Sequence, residues 1–200
     1  MVLQGDAEAE PGWLEALVET ADARPEAGAI GGKVRFPDGQ LQNAGMVLWR
    51  DATTSPPWVD ETPPAPAFDE VRAVDYCGTS SLLVRADVWD AIGGMDERFY
   101  PVYYVDVDVA MSIRQLGQVV LYQPASRIRH HRGATGGRRW QLFVGERNRR
   151  LFIDKWGAVL DQHEPVDHLD VAAAIQRATA RAAAFAASAT PGQRERRERR

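Results

Sequence analysis

The sequence of 200 residues contains a single cysteine, Cys77, which excludes an internal disulfide and is typical of a reducing compartment. Apolar runs are short, and none approaches the roughly 20 residues that a membrane-spanning helix needs. No secretory leader is recognisable, because Met1 leads directly into a short strand-like piece and then into acidic residues. These absences predict a cytoplasmic protein, either in solution or at the inner face of the membrane.

The sequence also lacks a strong excess of either charge, since 24 basic and 28 acidic residues leave a net charge of −4. This balance argues against nucleic acid as a partner, because binding to a phosphate backbone needs clustered positive charge. The arginine-rich end, residues 194–200, predicts a solvated tail, with a weak contact to anionic lipid or to a partner as the alternative. The glycine-rich phosphate loops Gly-x-x-x-x-Gly-Lys and Gly-x-Gly-x-x-Gly are missing, which argues against a generic nucleotide-binding protein.

Strand-like and helix-like segments alternate along the chain, and this alternation predicts an α/β domain. The predicted strands are residues 2–3, 29–36, 41–49, 72–84 and 118–122. The predicted helices are one that follows Pro11, one at 86–92, one from Asp106 or Asp108 to Gly117, one at 140–156 and one at 171–187. Residues 124–135, which include both adjacent histidines, are predicted to form a loop.

The predicted organisation is a main domain over residues 1–160, a C-terminal helical extension over 161–190 and a charged, disordered tail over 191–200. Prolines crowd residues 50–70, and a central strand or helix cannot hold them. We interpret this stretch as a mobile loop, which either closes over a substrate or is a plain surface connection.

Three places in the chain carry candidate chemistry. Asp6 follows an apparent strand, at the end where open α/β sheets place ligands, although it also reads as an ordinary loop acid. Asp106 and Asp108 precede a helix and follow aromatic residues, so they are either a base with its neighbour or a helix cap with a surface acid. His130 and His131 lie between arginines, where they are either ligands or solvent-exposed.

The order of these motifs resembles the acceptor-side half of glycosyltransferase family 2. The stretch Gly93-Gly94-Met95-Asp96-Glu97-Arg98-Phe99, followed by Tyr104-Val105-Asp106-Val107-Asp108, is similar to the family pattern Gly-Gly-Phe-Asp-Glu-x-Phe and then Tyr-Glu-Asp-x-Asp. Residues 2–14 resemble the metal motif with its following Pro-Gly-Trp-Leu, and His130 lies five residues before Thr135, as in the family loop His-x-x-Gly-x-Ser.

The resemblance implies a partial GT-A fold, a mixed sheet flanked by helices, and roles for particular residues. Asp106 would be the catalytic base. Asp6 and His130 would hold a divalent metal, Mg²⁺ or Mn²⁺, and contact the donor diphosphate together with Arg132, since hard oxygen ligands and an occasional histidine suit these ions. The residues on the acceptor side would be Gly78, Thr79, Asp96, Glu97 and Asp108.

The function that the resemblance implies is inverting transfer of a sugar from a nucleotide-sugar donor to a hydroxyl of a glycan or glycolipid acceptor. A rhamnosyltransferase-like member that acts in cell-wall polysaccharide biosynthesis is the subfamily indicated. The alternative is a truncated or degenerate, non-catalytic domain that serves binding or assembly. Three features favour this alternative: Gln4 in place of an Asp or Asn of the metal motif, Val105 in place of the family glutamate, and the missing nucleotide-binding half. The presence of Asp6, Asp106 and His130 together favours the enzyme.

The family's nucleotide-binding half has no counterpart in the sequence before the metal motif. A sheet without its first strands exposes an edge and apolar surface. We therefore expect self-association into a homo-oligomer or poor solubility. A peripheral association with the membrane is a separate expectation.

Overall fold

A mixed sheet of seven strands is the centre of the fold in the computed structural model, which describes residues 1–55, 68–131, 137–166 and 171–188. Five strands form the order β1-β8-β3-β9-β2, while β4 extends from β3 and β7 pairs with β9. The bounds of the seven are β1 Val2–Leu3, β2 Ala7–Ala9, β3 Ala27–Arg35, β4 Leu41–Asn43, β7 Arg72–Val74, β8 Ser81–Val84 and β9 Val119–His130. A separate hairpin pairs β5 Val47–Leu48 with β6 Thr54–Ser55.

The strand directions explain how the sheet positions a site. The long neighbours β3 and β9 are parallel, and each other pair in the sheet is antiparallel. As a consequence, β1, β3 and β9 run the same way and end at the same edge. The segment before β2 and the segment before β8 lie at that edge too. An α/β fold with a mixed sheet flanked by helices, as predicted, is thus confirmed.

Five helices cover the two faces of this sheet. Their bounds are α1 Trp13–Ala23, α2 Ala86–Ile92, α3 Val105–Gln115, α4 Arg138–Leu160 and α5 Val171–Ser188. Alternate residues of β9 face opposite sides: Leu121 packs with α1 in one cluster, and Tyr122 packs with α3, α4 and α5 in the larger one. In the described part of the chain, no helix combines the length and the apolar character needed to cross a bilayer.

The predicted elements are largely present, but the predicted strands 41–49 and 72–84 are each divided into two separate strands, β4 with β5 and β7 with β8. Two further differences concern β9 and α3. β9 continues to His130, so the predicted loop over residues 124–135 is wrong for its first seven residues. Residues 124–126 form a bulge, because the register with β3 jumps from Gln123 opposite Gly32 to Arg127 opposite Lys33. A bulge is a place where a strand tolerates proline, and Pro124 occupies it.

The second difference is the start of α3. The helix begins at Val105 after Tyr104, whose φ of 66° is left-handed, and no side chain caps the helix. The prediction that Asp106 or Asp108 starts the helix is therefore wrong, since both lie in its first turn. Negative side chains are favourable at this end of a helix, because its backbone N–H groups point toward them.

Buried ion pairs fix the C-terminal helix α5 to the sheet. Arg181 of α5 donates to both carboxylate oxygens of Asp75, at 3.2 and 2.6 Å, and also binds Glu164. Arg114 of α3 contacts the same Asp75 carboxylate at 3.1 Å, and its side chain and that of Asp75 are at most 2% exposed. Thr179 adds a hydrogen bond to the carbonyl of Ala73 in β7. The predicted C-terminal extension is thus in direct contact with the sheet.

Candidate active site

The edge where β1 and β9 end holds a cavity of about 1380 Å³. This is larger than the 300–1000 Å³ or so of a pocket for one small ligand, and it leaves space for two. Within the described residues, the lining comes from seven parts of the chain, namely the β1–β2 connection, β4 with its following turn, β6, the segment before β8, the segment from Pro101 to the first turn of α3, the end of β9, and the first half of α4. Among the lining residues are Gln4, Asp6, Gln42, Asn43, Tyr76, Gly78, Thr79, Ser80, Tyr103, Tyr104, Asp106, His130, Arg138 and Arg149.

Asp6 and His130 form a contact pair in this cavity. Asp6 stands directly before β2 and His130 is the last residue of β9, and the pairing of Ala7 with His130 brings the two side chains together. The Nε2 atom of His130 lies 3.1 Å from Oδ1 of Asp6, and its Nδ1 atom lies 3.0 Å from Oε1 of Gln42. Both ring nitrogens thus face oxygen atoms, although a neutral imidazole carries only one N–H.

That arrangement fits a divalent cation. If Nδ1 carries the proton and donates it to Gln42, the lone pair of Nε2 is directed at the Asp6 side, as in histidines that ligate metals and donate their other N–H to an oxygen. Two ligands of one octahedral ion, each about 2.1 Å from it, are roughly 3 Å apart, and the observed 3.1 Å is equally the distance of an ordinary hydrogen bond from Nε2–H to the carboxylate. Within the described residues, no group of three or more His, Cys, Asp and Glu side chains could hold a metal. A cation here would need its remaining ligands from substrate phosphates and water, as Mg²⁺ commonly does.

Asp106 provides a carboxylate with an altered acidity. It is half-buried in the first turn of α3, where its Oδ1 accepts a hydrogen bond from the backbone N–H of Val107 at 3.0 Å. Burial raises the pKa of Asp106 to about 6, and the N–H of Val107 lowers it in part. A carboxylate with a pKa near neutrality is suited to accept a proton from a substrate hydroxyl and to release it later.

Gly78 leaves room in front of this carboxylate. A Cβ atom at position 78 would lie 3.0 Å from Nδ2 of Asn43 and 3.7 Å from Oδ2 of Asp106. Any larger residue would therefore narrow the space beside the carboxylate. Thr79 and Ser80 follow as small, buried residues, and the carbonyl of Ser80 accepts the N–H of Gln4 at 3.4 Å. The segment before β8 is thus joined to the β1–β2 connection that carries Asp6.

Two consecutive tyrosines precede α3 in an unusual backbone conformation. Tyr103 and Tyr104 have φ angles of 70° and 66°, a region that L-residues other than glycine rarely occupy. Asn148 of α4, fully buried, donates from Nδ2 to the carbonyls of Phe99, Val102 and Tyr103 at 2.8, 2.7 and 3.0 Å. These bonds hold the backbone that leads into Asp106. Strained backbone of this kind concentrates at functional sites.

Three residues predicted on the acceptor side lie outside the cavity lining. Asp108 is 2% exposed and accepts hydrogen bonds from Trp156 Nε1 at 2.7 Å and from Lys155 at 3.0 Å. Asp96 accepts from Arg98 and Lys155, and these bonds hold the pKa of Asp96 well below its usual range. Glu97 begins a short 3-10 helix, Glu97–Phe99, and is exposed. In the structure these residues connect α3 and the 3-10 helix with α4.

Several other predictions fall outside the described residues. These are the role of Arg132, the spacing partner Thr135, the greater part of the proline-rich stretch 50–70 and the tail 191–200. The basic side chains that do line the cavity are those of Arg138 and Arg149 on α4, and Arg149 also bonds the carbonyl of Asp51 at 2.5 Å.

Sequence reasoning missed two polar residues of the site, Gln42 and Asn43, and underestimated Asn148. Gln42 and Asn43 belong to a predicted return strand, and nothing in their local pattern distinguishes them from surface residues. Asn148 lies between Arg147 and Arg149 on the predicted helix 140–156, to which no role at the site was assigned. An asparagine within a helical segment otherwise rich in arginine was the one signal that the sequence offered.

No family model matches the chain. Among curated proteins, it is 29% identical over 149 residues to N-acetylglucosaminyl-diphospho-decaprenol L-rhamnosyltransferase of Mycobacterium tuberculosis, with 69% of this chain and 48% of that protein covered. It is 32% identical over 131 residues to the O-antigen biosynthesis protein RfbC of Myxococcus xanthus, with 63% of this chain and 10% of that protein covered. The chain thus spans about half the length of the mycobacterial relative and a tenth of RfbC.

Among solved structures, the crystal structure of GalNAc-T7 with UDP, GalNAc and Mn²⁺ is similar with a TM-score of 0.49 and 13% sequence identity. The likeness covers 64% of this chain and 26% of that one.

Proposed function

We propose that this chain is a segment of a family 2-like glycosyltransferase and that its cavity is the catalytic centre of an inverting, metal-assisted sugar transfer. The proposal assigns the chain a partial GT-A fold. The observation that supports it most is the convergence of Asp6, His130 and Asp106 on one cavity from three separate parts of the chain.

Asp106 acts as the general base in this proposal. The acceptor hydroxyl gives its proton to the Asp106 carboxylate as its oxygen attacks the anomeric carbon of the donor sugar. The bond from that carbon to the diphosphate oxygen breaks on the opposite side, which inverts the configuration. A carboxylate with a pKa of about 6 is ionised at neutral pH and is more basic than an ordinary aspartate.

Asp6 and His130 hold the diphosphate end of the donor. A divalent metal bound by these two residues would neutralise the charge that develops on the leaving diphosphate. Gln42 fixes the orientation of the His130 ring through its contact with Nδ1 at 3.0 Å. Arg138 adds a positive charge at the cavity wall, and guanidinium groups bind phosphate oxygens well.

The acceptor class follows from the relatives. Their names describe rhamnosyl transfer to N-acetylglucosaminyl-diphospho-decaprenol and O-antigen biosynthesis. We assign this chain an acceptor of the same class, a sugar that is part of a glycolipid or growing surface polysaccharide. The space beside Asp106 and Gly78 is where its hydroxyl would enter.

The proposed base is tested by Asp106→Asn together with a pH profile. The substitution should lower the transfer rate by roughly 10²- to 10⁴-fold while nucleotide binding stays within about twofold, because an amide cannot accept the proton. In the unsubstituted protein the rate should rise with pH through about 6, as the carboxylate ionises. A rate that survives the substitution would exclude Asp106 as the base. Undetectable transfer in both proteins with binding intact would favour the non-catalytic alternative.

A further inference from the structure

The first turns of α4 present an exposed apolar surface surrounded by arginines. Leu142 and Phe143 are 64% and 68% exposed, and Trp140 is 36% exposed. Tyr100, on the loop that Arg147 contacts, is 77% exposed. Scattered exposed apolar residues are ordinary, but adjacent large ones mark a surface that contacts something.

The same stretch carries a strong positive charge in a protein that is acidic as a whole. Residues 138–150 contain five arginines and one glutamate, whereas the chain has a net charge of −4. Residues spaced by four or seven positions share one side of an α-helix. Counted from Phe143, this places Arg139, Arg147 and Arg150 on the side of α4 that carries Phe143. Arg150 is paired with Glu146 at 2.9 Å, which leaves the arginine excess in place.

We propose that this α4 surface, consisting of residues 138–143, 146, 147 and 150, binds the surface of an anionic membrane. A helix with arginines around large apolar side chains lies in the interface between lipid headgroups and acyl chains, with tryptophan at the boundary. A second copy of the chain is a less suitable occupant. A two-fold symmetric contact would place the same arginines against each other.

The α4 surface adjoins the cavity, so membrane binding there would bring the cavity close to the lipid surface. Trp140 and Leu142 both belong to the cavity lining, so the exposed surface and the cavity are continuous along α4. A glycolipid acceptor held in the membrane would then reach the cavity with its sugar, while its lipid stays in the bilayer. This last step depends on the proposed function, but membrane binding itself does not.

The proposal is tested by flotation of the purified chain with vesicles. Vesicles of phosphatidylcholine alone are compared with vesicles that contain 30% phosphatidylglycerol (roughly the anionic content that gives a strong surface potential). We expect binding to the anionic vesicles that weakens with added salt. Arg139→Gln with Arg150→Gln should reduce partitioning roughly thirtyfold, at about fivefold for each basic residue. Phe143→Ser should reduce it by at least about tenfold.

Matched control variants distinguish vesicle binding by the α4 surface from nonspecific adsorption of the protein to lipid. Val71→Ser removes an apolar side chain that is 40% exposed and lies outside α4, and Arg24→Gln with Arg35→Gln removes two exposed arginines elsewhere. Neither control should change partitioning by more than about twofold. None of the substituted residues lines the cavity, so nucleotide titration should give the same result for each variant and would report a failure of the proposed function separately.

Three outcomes would overturn the proposal. The first is equal partitioning of the Phe143→Ser protein and the unsubstituted protein. The second is loss of binding when the arginines of residues 194–200 are replaced by glutamine while the α4 variants bind normally, which would assign the contact to the tail. The third is a change from dimer to monomer on Phe143→Ser, measured by light scattering, without vesicle binding by either protein. That result would make the surface a contact between copies.

Discussion

The ionised carboxylate of Asp106 lowers the free energy of unfolding at neutral pH, and other interactions in the fold have to offset this loss. Its pKa is about 6 in the folded protein and near 3.8 in an unfolded chain, so the folded state disfavours the charged carboxylate. The sign follows from proton binding: between these two values the folded protein holds more protons, and its stability falls as the pH rises through them. Catalytic groups commonly carry such a cost.

We predict that Asp106→Asn stabilises the protein above pH 6. The gain in the free energy of unfolding should be about 1–3 kcal/mol at pH 8 and should disappear at about pH 3, where the carboxyl group of Asp106 is largely protonated in both states. Urea unfolding at the two pH values measures it. An unchanged or lower stability of the variant at pH 8 would contradict the raised pKa.

The identity of the site residues was predictable from the sequence only in part. Asp6 and His130 were assigned a common ligand from their motifs, and the structure places them 3.1 Å apart. Asp106 was assigned from the Tyr-x-Asp-x-Asp pattern, and it lines the same cavity. Their chemical roles stay predictions. Gln42 was not identified, because its position depends on the pairing of β4 with β3 and on no local motif.

At the scale of elements, Asn148 connects α4 to the segment that leads into α3. Its amide, which is fully buried, donates to the buried carbonyl of Phe99 and to the part-buried carbonyls of Val102 and Tyr103, and unpaired polar groups cost free energy where water is scarce. The left-handed Tyr103 and Tyr104 lie within this segment. The geometry at Asp106 therefore depends on a residue that is 42 positions away in the sequence.

We predict that Asn148→Ala lowers the free energy of unfolding by about 1–3 kcal/mol, because it leaves buried and part-buried carbonyl groups without donors. Asn148→Asp should be at least as damaging, since a carboxylate directed at the carbonyls cannot donate. Chemical denaturation measures both. Arg150→Ala on the exposed side of the same helix is the control and should stay within about 0.5 kcal/mol. Equal stabilities of the Asn148 variants and the control would exclude this role.

The attachment of α5 gives a second prediction at this scale. Burial alone would raise the pKa of Asp75, but the charges of Arg114 and Arg181 more than offset it and lower the pKa. Arg181→Met removes one partner of a buried carboxylate and should cost about 3 kcal/mol of stability at pH 7. The loss should shrink at low pH, because a lowered pKa contributes stability only while the carboxylate is ionised.

A matched variant on the same helix makes the α5 prediction specific. Gln176→Met introduces the same residue at an exposed position of α5 and should leave the stability within about 0.5 kcal/mol. Guanidinium unfolding of the two variants at pH 7 gives the comparison. If both lose the same stability, the ion pairs of Asp75 do not fix the helix.

From the sequence, the presence of a helix or strand was easier to predict than the residues at which it begins and ends. The helix at 86–92 was predicted at its observed bounds, because Gly93 ends it with a φ of 77°. β9 was predicted too short, since Pro124 and the arginines after it suggest a loop until the bulge opposite β3 is known. The start of α3 lies one residue before the nearer of its two predicted starts, Asp106, because the helix follows directly on the left-handed Tyr104, and such a backbone conformation leaves no periodic pattern in the sequence.

At the scale of the whole molecule, apolar side chains remain exposed at one edge of the sheet and on α1. Leu3 of β1 is 41% exposed, and Leu14 and Val18, one turn apart on α1, are 39% and 42% exposed. Within the described residues, β1 pairs only with β8, so its other side presents backbone groups that another chain can bind. These features support the expected self-association.

We predict that the purified chain self-associates with increasing concentration, and that Leu14→Glu with Val18→Glu increases the monomer fraction by placing charges on α1. Size-exclusion chromatography with light scattering measures the mass. Glu15→Gln and Glu19→Gln on the same helix are controls that leave the apolar pair intact. A stable monomer of the unsubstituted chain at high concentration would contradict the prediction.

The central claim is that the Asp6–His130 pair and the cavity beside it bind a nucleotide diphosphate together with a metal. Calorimetric titration of the folded chain with UDP, GDP and dTDP, each with and without Mn²⁺, tests it most directly. The account predicts that one of the three binds, that Mn²⁺ strengthens its binding, and that Asp6→Ala removes the metal dependence. Binding of none of them by a chain shown by circular dichroism to be folded, or binding that Mn²⁺ and Asp6→Ala leave unchanged, would contradict it.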